Sequence, residues 1–326
     1  MKVAIIGGLD IGKLAWDLKR AFEKYLGWEV VNIAWEKTYL DAPGTIDILV
    51  SEPPTQFRLG GLQRAMLAMQ DQDFFILRWL GQEQMAQLGL FQLLRRNNFC
   101  IKLHGTEGRI GLWLYWFYPL LQMDPFIVTS FDYSLYESVR RMGLRNACHI
   151  GHALHLDTDF PQPNPNPEYV TVVHAPTDRS KKDTDYFLDV MKRVEERNAK
   201  VKTLLIEGKS REECLKLKAT ANITFDQATS HLGIGTFGRS ALEGMALSQP
   251  VIAQTNAWSM SLYPDLADIL VQTDRLHLQE SIESLVNNPD RVKELGAKSR
   301  AFVENHFSAP VTARRWKFLI EHIMST

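Results

Sequence analysis

Apolar runs alternate with helical patterns along the first half of the chain. Runs of the kind that form buried strands occur at Lys2 to Ile6, Glu29 to Ala34, Ile46 to Val50, Phe74 to Leu77, Cys100 to Leu103 and Phe126 to Val128. Between the first two runs, Trp16, Leu18 and Phe22 recur at helical spacing. Strands that alternate with helices are typical of a parallel, doubly wound sheet. We therefore predict an α/β fold.

The same alternation restarts in the second half. Strands are predicted at Tyr169 to Val173, Thr203 to Ile206, Ile223 to Phe225 and Pro250 to Ala253, and helices at Asp185 to Arg197, Glu212 to Ala219 and Arg239 to Leu247. Between the halves lies Phe160-Pro-Gln-Pro-Asn-Pro-Asn-Pro167, which contains four prolines. Because proline stiffens an extended chain and cannot continue a helix, this segment is typical of an interdomain linker.

These patterns predict the domain organisation. At 326 residues the chain is longer than a single hydrophobic core usually grows. We expect an N-terminal domain at 1–160, a linker at 161–167 and a second domain at 168–308. The last segment, 309–326, is helical in pattern, and we expect it to pack back on the N-terminal domain.

Composition and charge exclude several classes of protein. With 45% hydrophobic and 23% charged residues, the chain has the composition of an ordinary folded protein. Lys and Arg number 37 against 38 Asp and Glu, so no global positive charge points to nucleic acid or to an anionic membrane. Cys100, Cys148 and Cys214 lack the paired spacing of zinc sites or disulfide frameworks. We expect no metal site and a reducing compartment.

Two segments bear on localisation. The N-terminal run is strand-like and has neither the apolar length nor the cleavage site of a signal peptide, which favours a cytoplasmic protein. Ile110 to Leu121 is apolar but much shorter than the roughly 20 residues that a membrane-spanning helix needs. Its aromatic residues could belong to a buried helix, or to a surface that faces an acceptor or touches a membrane peripherally.

The loop after the first strand comes close to two phosphate-binding motifs and matches neither. It reads Gly7-Gly8-Leu9-Asp10-Ile11-Gly12-Lys13-Leu14. A dinucleotide fingerprint needs Gly where Leu9 stands, and a P-loop needs a hydroxyl where Leu14 stands. A glycine turn that leads into a helix still favours anions. Gly12 is therefore the residue of this loop that we expect nearest a substrate.

Two segments in the second half combine features of a diphosphate-nucleotide site. In His174-Ala-Pro-Thr-Asp-Arg179-Ser-Lys-Lys182, Arg179 and Lys182 could hold a diphosphate from two sides. The second segment is a glycine-rich turn that opens a helix, and helix amino ends favour phosphate. One helical turn in, Glu243 could accept hydrogen bonds from the vicinal hydroxyls of a ribose. The candidate residues of the turn are Gly235, Thr236, Phe237, Gly238 and Arg239.

Taken in order, these motifs resemble a known family. The series is His-Ala-Pro-x-x-Arg-x-x-Lys, a strand followed by Asp226-Gln227, and Gly-x-x-Gly-x-x-x-x-Glu-x-Met-Ala-x-x-x-Pro-Val-Ile. It resembles the C-terminal domain of GT-B glycosyltransferases similar to glycosyltransferase family 4, from about Val170 to Ala253. His104-Gly-Thr-Glu107 resembles that family's N-terminal domain more loosely. The resemblance implies a GT-B fold, with two Rossmann-like doubly wound domains facing each other across a cleft.

The resemblance also implies roles for individual residues. Arg179 and Lys182 would hold the donor diphosphate, Glu243 the ribose hydroxyls, and His104 would face the transferred sugar. The sequence departs from the family pattern at two positions. Gly235 stands where members have a sugar-contacting glutamate, and Asp183 replaces the glycine that commonly follows the lysine. The Asp183-Thr-Asp185 string is interpreted as a chance occurrence and not as a metal motif.

The expected function follows from these roles. The resemblance implies a hexosyltransferase-type enzyme that uses a UDP- or GDP-sugar, retains the anomeric configuration and needs neither a metal nor a cofactor. The nucleotide-sugar-binding domain would be the C-terminal one and the acceptor-side domain the N-terminal one. The acceptor could be a saccharide, a lipid-linked glycan, a protein or a modified nucleic acid. Two alternatives are a non-catalytic GT-B relative that binds nucleotide or glycan, and a sugar-nucleotide epimerase.

Overall fold

The computed structural model describes residues 1–8, 13–35, 44–52, 56–57, 59–78, 90–103, 123–129, 136, 139–140, 143–179, 182–229 and 238–326. The chain divides into two compact units, one formed by 1–154 with 307–326 and the other by 155–306. The proline-rich segment 161–167 therefore belongs to the second unit, where the Asn164 amide donates to the Ala219 carbonyl at 2.8 Å. The C-terminal helix belongs to the first unit.

The described strands are numbered in chain order: β1 Lys2–Gly7, β2 Glu29–Ala34, β3 Ile48–Leu49, β4 Ser51–Glu52, β5 Gln56–Phe57, β6 Phe74–Arg78, β7 Phe99–Leu103, β8 Phe126–Thr129, β9 Ala147–His149, β10 Val170–His174, β11 Val201–Leu205, β12 Ile223–Gln227, β13 Val251–Ala253 and β14 Leu270–Gln272. The described α-helices are α1 Leu14–Leu26, α2 Leu59–Gln70, α3 Thr184–Arg197, α4 Arg211–Lys218, α5 Arg239–Ala246, α6 Ala257–Leu262, α7 Leu266–Ile269, α8 Leu278–Val286, α9 Pro289–Phe307 and α10 Ala309–Ser325.

The first unit is built on a seven-stranded parallel sheet with strand order β3-β2-β1-β6-β7-β8-β9. Helices α1 and α10 cover one face of it. Trp316 on α10 is fully buried, and its ring centroid lies 6.0 Å from that of Phe22 on α1. Helix α1 ends at Gly27, whose positive φ of 66° suits a residue without a side chain.

The second unit contains a five-stranded parallel sheet with strand order β11-β10-β12-β13-β14. Helices α3 and α8 pack on one face around the stacked rings of Phe187 and Phe225, whose centroids are 4.6 Å apart. The predicted α/β, doubly wound fold is confirmed in both units. Strands β4, β5, β9 and β14 and helices α2 and α6 to α9 were not predicted.

The order of the second sheet fixes where a ligand can bind. The chain passes from β10 outward to β11 and then returns to the other side of β10 to form β12. Parallel sheets of this kind open a crevice at the carboxyl ends of the two strands where the direction reverses. Helix α5 packs against β12 so closely that a Cβ on Gly244 would lie 2.4 Å from the Thr224 Oγ1. Its amino end lies beside that crevice.

No helix in the described part of the chain is long and apolar enough to cross a membrane. Several sequence-predicted residues fall outside the described ranges. They are Gly12, His104, Gly235, Thr236, Phe237 and the apolar segment from Ile110 to Leu121.

Candidate functional site

Lys182 and the amino end of α5 meet at the carboxyl ends of β10 and β12. The Lys182 Nζ donates to the Asp226 Oδ1 at 3.0 Å and to the Gln227 Oε1 at 2.7 Å. The other oxygen of Asp226 accepts the backbone N–H of Gly238 at 2.6 Å. Gly238 is the residue immediately before α5. Asp226 therefore joins the predicted lysine to the predicted glycine turn.

The space at Gly238 is small. A Cβ on this residue would lie 3.2 Å from the Lys182 Nζ and 3.3 Å from the Asp226 Oδ2. The φ of Gly238 is −95°, a value open to any residue, so close approach and not backbone strain favours glycine here. The backbone of Gly238 can thus lie close to the lysine.

Arg179 is held by two carboxylates on the same side of the sheet. Its Nη1 donates to the Glu207 Oε2 at 2.8 Å and its Nη2 to the Asp185 Oδ1 at 2.6 Å. The Asp185 side chain is 84% exposed and that of Arg179 is 44% exposed. Ion pairs this exposed are screened by solvent and contribute little to stability. The guanidinium is therefore oriented without being committed to these partners.

Glu243 is buried and faces three cations. Its Oε2 accepts from the Lys218 Nζ at 2.8 Å, and its Oε1 lies 3.4 Å from the Arg211 Nε and 3.3 Å from the Arg239 Nε. Burial raises the pKa of this carboxyl, but the charges of Lys218, Arg211 and Arg239 outweigh burial and bring the pKa from 4.5 to about 2. Glu243 is therefore a carboxylate throughout the physiological pH range.

Lys218 is the most buried of these cations. Its Nζ also donates to the hydroxyl of Ser240 at 2.9 Å, which ties α4 to the first turn of α5. Burial lowers the pKa of Lys218, but the Glu243 carboxylate outweighs burial and the pKa is raised. Arg211 extends the network, since its Nη1 donates to the Asp159 Oδ2 at 3.2 Å. The ion cluster thus fixes the position of α5.

His174, the last residue of β10, is buried next to this site. Its Nδ1 lies 3.1 Å from the Phe225 carbonyl oxygen and its Nε2 lies 2.9 Å from the Thr184 hydroxyl. Because a carbonyl oxygen can only accept, Nδ1 carries the proton and Nε2 accepts from the hydroxyl. Burial lowers the pKa of the imidazole from 6.5 to about 4. His174 is therefore neutral and joins β10, β12 and the start of α3.

The structure thus brings Lys182, Gly238, Arg239 and Glu243 to one end of the second sheet, with Arg179 on the same side. Sequence reasoning missed two residues of this site, Lys218 and Arg211, and it gave no role to Asp226, although the motif series includes that residue. The sequence position of Asp226 indicates a site residue, because a charged residue that follows an apolar strand lies at the ligand-binding edge of a parallel sheet. Lys218 and Arg211 carried no such signal, because helical lysines and arginines are usually solvated.

The site is not simply cationic, because carboxylates contact its two basic residues. Arg179 and Lys182 face three carboxylates, those of Asp185, Glu207 and Asp226. The described residues contain no group of three or more His, Cys, Asp or Glu side chains that could hold a metal ion. A ligand here would meet one buried carboxylate behind Lys182 and two others that solvent already screens.

Comparison with known proteins was informative only at the level of structure. No protein-family model matches the chain, and no curated protein sequence matches it. Among solved structures, a glycosyltransferase from Rickettsia africae ESF-5 has a TM-score of 0.68 at 13% identity and covers 100% of this chain and 98% of that chain. Sucrose-phosphate synthase from Thermosynechococcus elongatus has a TM-score of 0.67 at 14% identity, with 100% and 99% covered.

A third similar structure is Anabaena Alr3699/HepE in complex with UDP-glucose. Its TM-score is 0.67 at 12% identity, with 99% of this chain and 100% of that chain covered. A UDP-N-acetylglucosamine 2-epimerase also matches, with a TM-score of 0.58 at 11% identity and 100% and 97% covered. Identities this low establish the fold alone. The chain has the GT-B fold that the sequence motifs predicted.

Proposed function

We propose that this protein is a glycosyltransferase that moves a sugar from a UDP- or GDP-sugar to an acceptor. The observation that carries the proposal is the meeting of Lys182 with the amino end of α5 at the reversal point of the second sheet. The first amides of a helix have no partner within the helix and carry partial positive charge. Together with an ammonium group they suit the diphosphate of a nucleotide sugar.

Lys182 can bind a nucleotide sugar while it keeps its hydrogen bonds to Asp226 and Gln227. An ammonium group has three N–H donors, and the contacts to Asp226 and Gln227 use two of them. In the proposed complex the third donates to a phosphate oxygen. Asp226 then keeps the lysine oriented toward the amino end of α5.

Arg179 would exchange its partners when the donor binds. A diphosphate offers several acceptor oxygens and more charge than the exposed carboxylate of Asp185. Because exposed ion pairs are screened by solvent and contribute little, the present partners of Arg179 offer little resistance to this exchange. We propose that the guanidinium covers the diphosphate from the side opposite α5.

Glu243 would bind the ribose through Oε1. The two contacts of that oxygen, at 3.3 and 3.4 Å, are long, while Oε2 makes the short bond to Lys218. Weak hydrogen bonds leave acceptor capacity for a hydroxyl group. The low pKa of Glu243, about 2, keeps both oxygens as acceptors.

The chemistry proposed for this site is departure of the nucleoside diphosphate with retention of anomeric configuration. As the bond to the sugar breaks, negative charge grows on the diphosphate. Arg179, Lys182 and the amides of α5 would stabilise that charge without a metal ion or a cofactor. The acceptor hydroxyl would attack the same face of the sugar carbon, form the new glycosidic bond as the bond to the diphosphate breaks, and give its proton to the departing phosphate oxygen. The sequence resemblance assigns further substrate contacts to His104 and Gly12, which lie outside the described residues.

The test measures release of UDP or GDP from a panel of UDP- and GDP-sugars in EDTA, with the wild-type chain, Arg179→Ala and Glu243→Ala. We expect slow release by the wild type from at least one donor even without acceptor, and at least a tenfold loss in either variant. Full activity in both variants would refute the assignment of the site. Dependence on added Mg²⁺ would refute metal independence.

An epimerase is the second candidate, because a UDP-N-acetylglucosamine 2-epimerase shares the fold. The two reactions differ in their products. An epimerase converts the sugar nucleotide to an isomer with no acceptor and no free nucleotide as the main product, whereas a transferase releases the nucleoside diphosphate. NMR of the donor after overnight incubation distinguishes them, and an inverted sugar centre on an intact nucleotide would favour the epimerase.

A further inference from the structure

Asp183 occupies a position that ordinarily favours glycine. Its φ of 53° lies in the left-handed region, at the residue immediately before α3 and directly after Lys182. Left-handed backbone is unfavourable for a residue with a side chain, although Asp tolerates it better than most. The contacts of the Asp183 side chain can offset that strain.

The Asp183 carboxylate is almost fully buried and binds the segment that follows β12. Its Oδ2 accepts the backbone N–H of Ala228 at 3.1 Å and that of Thr229 at 2.6 Å. Its Oδ1 accepts the hydroxyl of Thr229 at 2.7 Å. The turn after β10 is thereby attached to the chain that leads on from Asp226 and Gln227, the two partners of Lys182.

Arg275, beyond the end of β14, completes the contact. Its Nη2 and Nε donate to the Asp183 Oδ1 at 2.6 and 3.0 Å. The carbonyl of Arg275 accepts the Tyr186 hydroxyl at 2.5 Å, and its guanidinium carbon lies 5.5 Å from the centroid of the Tyr186 ring. The turn after β14 is therefore fixed to α3 and to Asp183 at once.

We propose that Asp183 is a positioning residue for the donor diphosphate, with Arg275 as its clamp. The carboxylate joins three strand-end segments, those after β10, β12 and β14, and so holds the Lys182 turn against Asp226 and Gln227. A glycine would adopt the same φ more easily but would leave the turn mobile. The role of Asp183 in positioning a diphosphate rests on the proposed function, whereas its clamping by Arg275 does not.

Asp183 and Arg275 differ in burial, and they are therefore expected to respond differently to mutation. The Asp183 side chain is 2% exposed, whereas that of Arg275 is 55% exposed. Removing the Arg275 side chain therefore creates no internal cavity, and the carboxylate keeps its bonds to Ala228 and Thr229. Arg197, whose Nη1 lies 3.1 Å from the Glu283 Oε1 at the surface of the same unit, provides a matched control.

The experiment compares the wild type with Arg275→Ala, Arg275→Lys, Asp183→Gly and the control Arg197→Ala. Hydrogen exchange of the Thr229 amide reports on the clamp in the absence of ligand, and calorimetric titration with UDP and GDP reports on positioning. We expect exchange about tenfold faster in Arg275→Ala, in keeping with the loss of a charged hydrogen bond. The Kd for the diphosphate should rise at least fivefold, with partial rescue in Arg275→Lys.

Asp183→Gly is a variant that should keep its fold, because glycine adopts the observed φ without strain. In this variant we expect the largest increase in exchange at Thr229 and the weakest diphosphate binding. Arg197→Ala should match the wild type in both measurements.

Exchange as slow as in the wild type in both Asp183→Gly and Arg275→Ala would overturn the clamp. Faster exchange with an unchanged Kd would overturn the positioning role. If the wild type binds neither UDP nor GDP, the proposed function fails, while the exchange data still decide the clamp.

Discussion

Lys218 and Glu243 form an ion pair from which solvent is excluded. The Nζ and Oε2 atoms are 2.8 Å apart, and the side chains are 1% and 8% exposed. Removal of either side chain would leave the other charge buried without a partner. A buried, unpaired charge is far less stable than the same charge in water. The pair therefore determines where the first turn of α5 lies.

Replacing Lys218 with methionine should destabilise the protein strongly. Breaking one side of a buried ion pair costs about 3–5 kcal/mol. On the same helix, Lys216 pairs with Glu212 at 2.8 Å, but both side chains are mostly exposed. Because solvent screens such a pair, Lys216→Met should destabilise the protein far less than Lys218→Met. Urea unfolding measures both, and equal losses in the two variants would contradict the account.

Lys182→Met should weaken binding of the diphosphate selectively. Loss of a hydrogen bond to a charged group, worth about 1.5–3 kcal/mol, predicts a Kd for UDP or GDP that is about 10–150 times higher. The nucleosides uridine and guanosine lack the diphosphate, so their affinity should stay the same. Lys192→Met, at an exposed position on α3, is the control. Equal weakening of nucleoside and diphosphate would show that Lys182 acts only on the fold.

The buried His174 predicts loss of stability in mild acid. In the unfolded chain its pKa is 6.5, whereas burial in the folded protein lowers it to about 4. As pH falls from 6.5 to 4, the unfolded state takes up the proton first, so the contribution present above pH 6.5 is lost. At ~1.4 kcal/mol per pKa unit, the loss is about 3 kcal/mol by pH 4.

His174→Asn removes this titration while keeping an amide that can donate and accept. The free energy of unfolding, measured by urea between pH 7 and pH 4, should fall less steeply in the variant than in the wild type. Parallel curves would show that His174 titrates equally in both states.

Gly244→Ala should destabilise the packing of α5 on β12. Alanine raises helix propensity by about 1 kcal/mol, but its Cβ would lie 2.4 Å from the Thr224 Oγ1. Overpacking costs about 1–3 kcal/mol, so the net change is a loss. A Cβ at Gly60 on α2 would meet none of the described residues within 4 Å, so Gly60→Ala should be neutral or stabilising. The penalty at Gly244 should shrink in a Thr224→Ala background, and an undiminished penalty would contradict the steric explanation.

Periodicity alone was enough to predict most of the two sheets. Strands such as β1 and β6 contain uninterrupted apolar runs, and such runs between helical patterns have few other structures available. Strand β14 was missed because Leu270–Gln272 is too short to stand out from the helices around it. The same holds for β9, whose three residues include a cysteine and a histidine.

Individual site residues were predictable where a motif places them at the end of a strand. Lys182 and Gly238 are such residues, and the structure brings them together through Asp226. The cluster around Glu243 was not predictable, because Lys218 and Arg211 reach it from a helix that is distant in sequence. Charge pairing of this kind depends on the packing of α4 against α5, which has no periodic signal.

We propose that the carboxyl edge of the second sheet binds a nucleoside diphosphate without a metal ion. Calorimetric titration of the wild-type chain with UDP and GDP in EDTA tests this binding most directly, with Glu243→Ala measured alongside. We expect the wild type to bind at least one of the two nucleotides, and the variant to bind it at least tenfold more weakly. Absence of binding to both, from a chain that remains folded, would contradict this proposal.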